Sequence, residues 1–298
     1  MIRGILTPAI TALDADRNLD YQKNEKHLNY LIENEIDGIL SLGTIGEFFS
    51  FTKEEKKKYI SFVINTVQER VPVLIGTGGT VVEDVIELTQ FAEKEGAAGA
   101  CIITPYYFQF DDETLYNFYS QIATNTDLPI YIYNFPARSG VNISPDLVLH
   151  LAQDHDNISG IKDTVDSISH TRELITKVKK ELERDFAVYS GYDEYLIPNL
   201  LAGGDGVVGG LTNLVPGLFV ELFQAYYNQN LNKISSLSKK ITILMEIYNV
   251  SSPFFPSIKQ AVSILGANIN PICKQPIKEL SSKQIKEIKT LIKQAEVN

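Results

Sequence analysis

The feature that most constrains this chain is a strand-then-helix alternation that repeats eight times over residues 1–228. Short apolar runs at Ile5–Thr7, Gly38–Leu42, Val71–Gly76, Gly99–Thr104, Pro129–Asn134, Ile158–Lys162, Phe186–Ser190 and Gly206–Val208 read as strands, each followed by a stretch of helical periodicity. Several helix starts carry local signals. Thr52 with Glu55, and Thr80 with Glu83, have capping-box spacing, and Ser144 precedes a proline at the first helical position. The strands are apolar throughout rather than alternating, as expected of a parallel sheet covered on both faces. Eight such units predict an α/β fold, a closed (β/α)8 TIM barrel. Residues 229–298 show only helical spacing, as in Leu237, Ile241, Leu244 and Ile247, with another capping box at Ser281 and Gln284. They predict a small C-terminal helical extension.

Composition fits that architecture. A chain of 298 residues suits one barrel with an appendage. At that size about 75% of the unfolded surface is buried, so no covalent staples are needed. The net charge of −10 speaks against nucleic acid or an anionic membrane as partner. Cys101 and Cys273 form neither a metal spacing nor a disulfide framework. The start of the chain shows no secretory h-region, and no apolar run reaches the length of a membrane span. The expectation is a cytoplasmic protein with no metal and no bound cofactor.

In such barrels the active site lies at the C-terminal ends of the strands. The sixth strand ends there in Lys162. With strict alternation, Ile158, Gly160 and Lys162 share one face, and Gly160 leaves space beside the lysine for a substrate. An amine held among apolar neighbours is poorly hydrated and becomes a candidate nucleophile toward a carbonyl. Taken alone, Lys162 also fits a surface lysine at a strand end. The second strand leads into Gly43-Thr44-Ile45-Gly46-Glu47, whose backbone amides and hydroxyl could cradle a carboxylate, or which is an ordinary glycine turn. Tyr106 and Tyr107 follow the fourth strand. The fifth carries Tyr131 and Tyr133 on one face, with Tyr133 nearer the mouth and Arg138 in the loop beyond. A lysine, a phenol, a carboxylate cradle and an arginine on one rim suit Schiff-base chemistry on a 2-oxo acid such as pyruvate.

With those motifs in place, the chain resembles the dihydrodipicolinate synthase / N-acetylneuraminate lyase family over nearly its whole length. The matching motifs are Gly43-Thr44-Ile45-Gly46-Glu47, Thr104-Pro105-Tyr106-Tyr107, Tyr133-Asn134-Phe135-Pro136 and Gly160-Ile161-Lys162-Asp163. The resemblance implies Lys162 as the Schiff-base lysine and Tyr133 as the proton shuttle. It implies Thr44 and the amide of Ile45 as the pyruvate carboxylate site, with the backbone carbonyl of Val208 lining the pocket. It also implies a homotetramer in which Tyr107 reaches across a dimer contact into the neighbouring site.

Within the family, synthases of the dihydrodipicolinate type carry a second threonine where this chain has Ile45, so the resemblance implies a broken hydroxyl relay between the site tyrosines. Arg138 matches the arginine with which those synthases bind aspartate semialdehyde. Gly191-Tyr192-Asp193-Glu194 instead resembles a lyase pattern whose acidic pair contacts a polyol, or simply acids at a helix start. Thr164 after Lys162-Asp163 resembles aldolases for 2-keto-3-deoxy sugar acids, with the threonine near substrate hydroxyls. The leading expectation is a class I, pyruvate-forming aldolase of a 2-keto-3-deoxy sugar acid. Its partners are small molecules only, pyruvate and an aldehyde or sugar acid. The alternatives are dihydrodipicolinate synthase, a related 2-oxo acid dehydratase or lyase, and a catalytically silent binding barrel.

Overall fold

The computed structural model describes residues 2–266 and 269–297, so Met1 and Asn298, the ends of the two expected regions, lie outside the described residues. Eight parallel strands close into a barrel in sequence order. They are β1 (Gly4–Pro8), β2 (Gly38–Ser41), β3 (Val73–Gly76), β4 (Gly99–Ile103), β5 (Ile130–Asn134), β6 (Ile158–Asp163), β7 (Ala187–Ser190) and β8 (Gly206–Val208). Every strand residue except Ser159 is buried, because the barrel interior covers one face and the helices cover the other.

The outer ring consists of α1 (Tyr21–Glu33), α2 (Lys53–Val67), α3 (Val82–Glu95), α4 (Asp112–Ala123), α5 (Pro145–Asp154), α6 (Ile168–Glu173), α7 (Leu196–Ala202) and α8 (Pro216–Tyr227). The capping boxes at Thr52/Glu55 and Ser281/Gln284 form as expected, and Ser144 accepts from the amide of Leu147. The expected box at Thr80 and Glu83 does not form. The helix begins at Val82 with Val81 as its N-cap, so Thr80 stands one residue too early to reach a helical amide. The helix expected to run from Ser167 to Leu182 is α-helical to Glu173, π-helical over Leu174–Lys179 and α-helical again at Lys180 and Glu181. Beyond α8 come α9 (Leu231–Met245), α10 (Phe255–Ile264) and α11 (Ser282–Gln294).

The β5–β6 pairing departs from strict alternation. Ile130 pairs with Ile158, but Tyr131 pairs with Gly160, so Ser159 is an extra residue on β6. In a parallel ladder, paired residues face the same side. Ile158 therefore faces outward with Ile130, while Gly160 and Lys162 face inward with Tyr131 and Tyr133. The expectation that Ile158 shares the lysine's face is corrected by that extra residue. The space at Gly160 is also not left for a substrate. A Cβ there would stand 2.8 Å from Cδ1 of Tyr131 and 2.7 Å from the carbonyl oxygen of Ala187.

Gly160 thus admits the Tyr131 ring, which lies beside Tyr189 with ring centroids 6.1 Å apart. The substitution Gly160→Ala is expected to overpack this layer and destabilise the barrel by about 1–3 kcal/mol. Thermal unfolding against the parent chain checks it, and an unchanged midpoint contradicts the packing described.

Candidate active site

The mouth of the barrel holds a cleft of about 600 Å³. Lys162 projects into it from the end of β6, with only 5% of its surface exposed. Its Nζ lies 4.2 Å from the centroid of the Tyr133 ring. No carboxylate among the described residues pairs with it. The neighbouring Asp163 turns to the other face of the strand. There it accepts hydrogen bonds from Asn134 at 3.0 Å and Thr171 at 2.8 Å, and meets Nδ1 of His170 at 3.0 Å. The carboxylate next in sequence to the amine is therefore fully engaged elsewhere.

The Tyr133 hydroxyl lies 3.1 Å from Oγ1 of Thr44. The hydroxyl partner of this phenol is thus residue 44, and the isoleucine at position 45 does not interrupt it. That corrects the expectation of a broken relay at its first link. Within the Gly43–Glu47 turn, the amides of Gly46, Glu47 and Phe48 donate to carbonyls of the turn itself. The amides of Thr44 and Ile45 have no acceptor among the described residues, and both residues line the cleft. Two free amides beside a hydroxyl form a site suited to an anion.

The other expected residues fall into three groups. Arg138, Thr164 and Val208 line the cleft. The Arg138 guanidinium lies over the rings of Phe135 and Phe254, 5.6 and 5.5 Å from their centroids, without a carboxylate partner among the described residues. The Thr164 hydroxyl is buried and has no hydrogen-bond partner among the described residues. Gly191 also borders the cleft, but a Cβ at Gly191 would stand 1.8 Å from Oγ1 of Thr164, so this glycine makes room for the threonine. Tyr107 is not brought to the cleft. It is 89% exposed at φ 91°, edge-on to Phe108.

Asp193 lines the cleft, but its oxygens are already taken. Oδ1 accepts from the amide of Leu211 at 2.9 Å, and Oδ2 accepts from the Tyr248 hydroxyl at 2.6 Å. Of the acidic pair, Glu194 is the exposed member. Burial, together with the charges of Asp166 and Glu246, raises its carboxyl above the ordinary range. The sequence reading missed Glu246, Tyr248, Asn249, Ser251 and Phe254, all of which line the cleft from the segment between α9 and α10. The available signal was a break in helical periodicity, with polar residues gathered at Asn249-Val250-Ser251-Ser252.

The profile described as the "Dihydrodipicolinate synthetase family" matches residues 1–295. The chain belongs to this family. As a dihydrodipicolinate synthetase family member, it is a carbon–carbon lyase. It is 36% identical over 294 residues to the putative 2-dehydro-3-deoxy-D-gluconate aldolase YagE of Escherichia coli K12, covering 99% of this chain and 97% of that protein. It is 33% identical over 298 residues to a 4-hydroxy-tetrahydrodipicolinate synthase of Thermotoga maritima, covering 99% of each. Among solved structures, YagE from E. coli K12 in complex with pyruvate superposes with a TM-score of 0.96 at 36% identity, covering 99% of both chains. The Thermotoga maritima dihydrodipicolinate synthase gives 0.93 at 32% identity, covering 99% of each.

In this family member, burial raises the Asp193 carboxyl to about 6, against the opposing hydrogen bonds from Tyr248 and the Leu211 amide. The folded chain therefore holds that proton more tightly than the unfolded chain does. The stability this group contributes is complete below about pH 4 and is lost as pH rises through about 6. Denaturation midpoints of the parent chain and Asp193→Asn are expected to diverge over that window, with the parent losing stability relative to the variant as pH increases. Parallel curves would show that the carboxyl is not perturbed.

Proposed function

We propose that this chain is a class I aldolase that cleaves a 2-keto-3-deoxy sugar acid to pyruvate and an aldehyde. The observation that carries the reading is the buried Lys162 amine against the Tyr133 ring, with the Tyr133 hydroxyl bonded to Thr44. The Lys162 amine adds to the C2 carbonyl of the keto acid, and the Tyr133 hydroxyl gives its proton to the departing hydroxyl, so that loss of water leaves a protonated imine beside a Tyr133 phenolate. The two free amides of Thr44 and Ile45 hold the substrate carboxylate beside it. The Tyr133 oxygen takes the proton from the C4 hydroxyl as the C3–C4 bond breaks, and the electron pair flows into the imine to give an enamine. The aldehyde leaves. Protonation at C3 and hydrolysis of the imine then release pyruvate and the free amine.

The far end of the cleft supports a hydroxylated acceptor. The Thr164 hydroxyl lacks a partner among the described residues, Arg138 stands on one wall, and Glu194 and Glu246 stand on the rim. Together they offer donors and acceptors along a polyol chain. A second reading, condensation of pyruvate with aspartate semialdehyde, is favoured by the unpaired guanidinium of Arg138.

We further propose a cytoplasmic homotetramer, with residues 1–228 as the barrel and 229–298 as its extension. The exposed Tyr107 would serve a neighbouring subunit's cleft in that assembly. No helix among the described residues is long and apolar enough to cross a membrane.

Borohydride reduction in the presence of pyruvate is expected to add mass to the peptide carrying Lys162, and to nothing in Lys162→Ala. The variant Tyr133→Phe is expected to trap pyruvate yet lose roughly 10²–10⁴-fold in turnover. With pyruvate and a panel of aldehydes, glyceraldehyde-type acceptors are expected to outrun aspartate semialdehyde. The reverse order would replace the aldolase reading by the synthase reading.

A further inference from the structure

A lysine and a glutamate, each with no side-chain exposure, form an ion pair away from the cleft, and the chemistry above uses neither. Lys259 lies on α10 in the extension. Glu47 is the last residue of the Gly43–Glu47 turn. The Lys259 ammonium pairs with Oε1 of Glu47 and donates to the carbonyl of Ile272 at 2.9 Å. The second carboxylate oxygen of Glu47 accepts from the amide of Lys274 at 2.8 Å. The Lys274 side chain reaches Glu55 in the capping box of α2, also at 2.8 Å. Two points of the extension, Lys259 and Lys274, thus converge on one carboxylate of the barrel, more than 200 residues away in sequence.

The backbone explains why the turn needs holding. Glu47 stands at φ 60°, a left-handed conformation unfavourable for a side chain of this kind. Its amide donates to the carbonyl of Thr44 at 3.1 Å, and that of Gly46 donates to Gly43 at 3.1 Å. Oγ1 of Thr11 donates to the carbonyl of Gly46 at 2.9 Å. A Cβ at Gly46 would already lie 3.0 Å from the carbonyl oxygen of Ala9. The turn is pinned closely at both ends, and the amides of Thr44 and Ile45 stay free between the pins. A strained conformation persists only where its surroundings over-determine it. The ion pair is the strongest of those determinants, because a buried carboxylate without its partner is driven toward water.

We propose that Lys259 is a positioning residue for the keto-acid carboxylate, acting through Glu47 to hold the free amides of Thr44 and Ile45 toward the cleft. The inference rests on reading that turn as the carboxylate cradle. When Lys259 is removed, Glu47 pulls the turn outward, and the two amides lose their aim without any change in the amine.

The test is the pyruvate dependence of borohydride trapping on the full-length chain. For Lys259→Met, the pyruvate concentration giving half-maximal adduct is expected to rise on the order of 10–100-fold, with the plateau at saturation retained. A loss of folded protein lowers the plateau without moving the half-saturation point, so the two effects separate. The doubly substituted chain Glu47→Gln, Lys259→Met has no buried charge at this site, and the amide oxygen at position 47 can still accept from Lys274. It is expected to return half-saturation to near the parent value. Lys179→Met supplies the comparison. It removes the nearer cation from the buried Asp205 just before β8, at the opposite end of the barrel, where Lys179 reaches it at 2.6 Å and Arg3 at 3.4 Å. That variant is expected to lower the unfolding temperature and leave half-saturation unchanged.

Should Lys259→Met fail to fold, Glu47→Asp keeps the charge, shortens the reach and is expected to shift half-saturation in the same direction. Equal half-saturation in the parent, Lys259→Met and Glu47→Asp overturns the proposal. The absence of any adduct in the parent chain overturns the Schiff-base reading itself and the proposal with it.

Discussion

The chemistry at the barrel mouth depends on one extra residue in a strand. Ser159 shifts the β6 register against β5 by one, so that Lys162 pairs with Tyr133 and Asp163 with Asn134. Without that shift, pairing from Ile158 onward would set Lys162 beside Asn134 and turn the amine toward the helices. The shift also sorts the charges. Asp163 is sent to the outer face, where Asn134, His170 and Thr171 satisfy it, and the lysine enters the interior alone. Its neighbour there is a phenol ring.

The extension is part of the same design. Two buried carboxylates, Glu47 beyond β2 and Asp193 beyond β7, each take a partner from beyond residue 229, Lys259 for one and Tyr248 for the other. Neither pair is an efficient source of stability, since removing charge from water costs about what the contact returns. What such pairs supply is geometry. They fix two mouth turns against helices that the barrel alone would not position, and they bring Glu246 and Asn249 to the cleft. The cleft draws on both sides of residue 228, since Glu246 and Tyr248 line it together with Lys162 and Tyr133.

The barrel was legible because strand and helix periods differ, and eight repetitions leave few alternatives. Lys162, Tyr133 and Thr44 were legible because a strand end or a tight turn fixes where each side chain goes. The failures have local causes. Alternation counted through Ser159 cannot register a bulge, because nothing in Ile158-Ser159-Gly160 distinguishes a slipped strand from a regular one. Gly160 was read as open space and Gly191 as part of a substrate-contacting pattern, although each admits a specific neighbour, Tyr131 and Thr164. Asp193 looked like a ligand because its partners, Leu211 and Tyr248, lie 18 and 55 residues away. Lys259 carried no motif, and its meaning lies wholly in a tertiary contact.

The two ends of the cleft also differ in how they are encoded, and this bears on substrate choice. The end proposed for the keto acid comes from strand ends and one turn, so its geometry follows from the barrel. The end proposed for the acceptor comes from the loops after β5, β6 and β7 together with the α9–α10 segment. Loops of that kind can be exchanged while the barrel stands. Backbone likeness therefore does not separate an aldolase from a synthase, as TM-scores of 0.96 to YagE, described as a putative aldolase, and 0.93 to a synthase illustrate. The choice falls to charge. A second substrate carboxylate entering here would meet one guanidinium, Arg138, but also Glu194 and Glu246. Like charge in a partly desolvated cleft is costly, whereas a hydroxyl can donate to those carboxylates and accept from Arg138 and Thr164. The balance at the rim thus favours an uncharged, hydroxylated aldehyde over an acidic one.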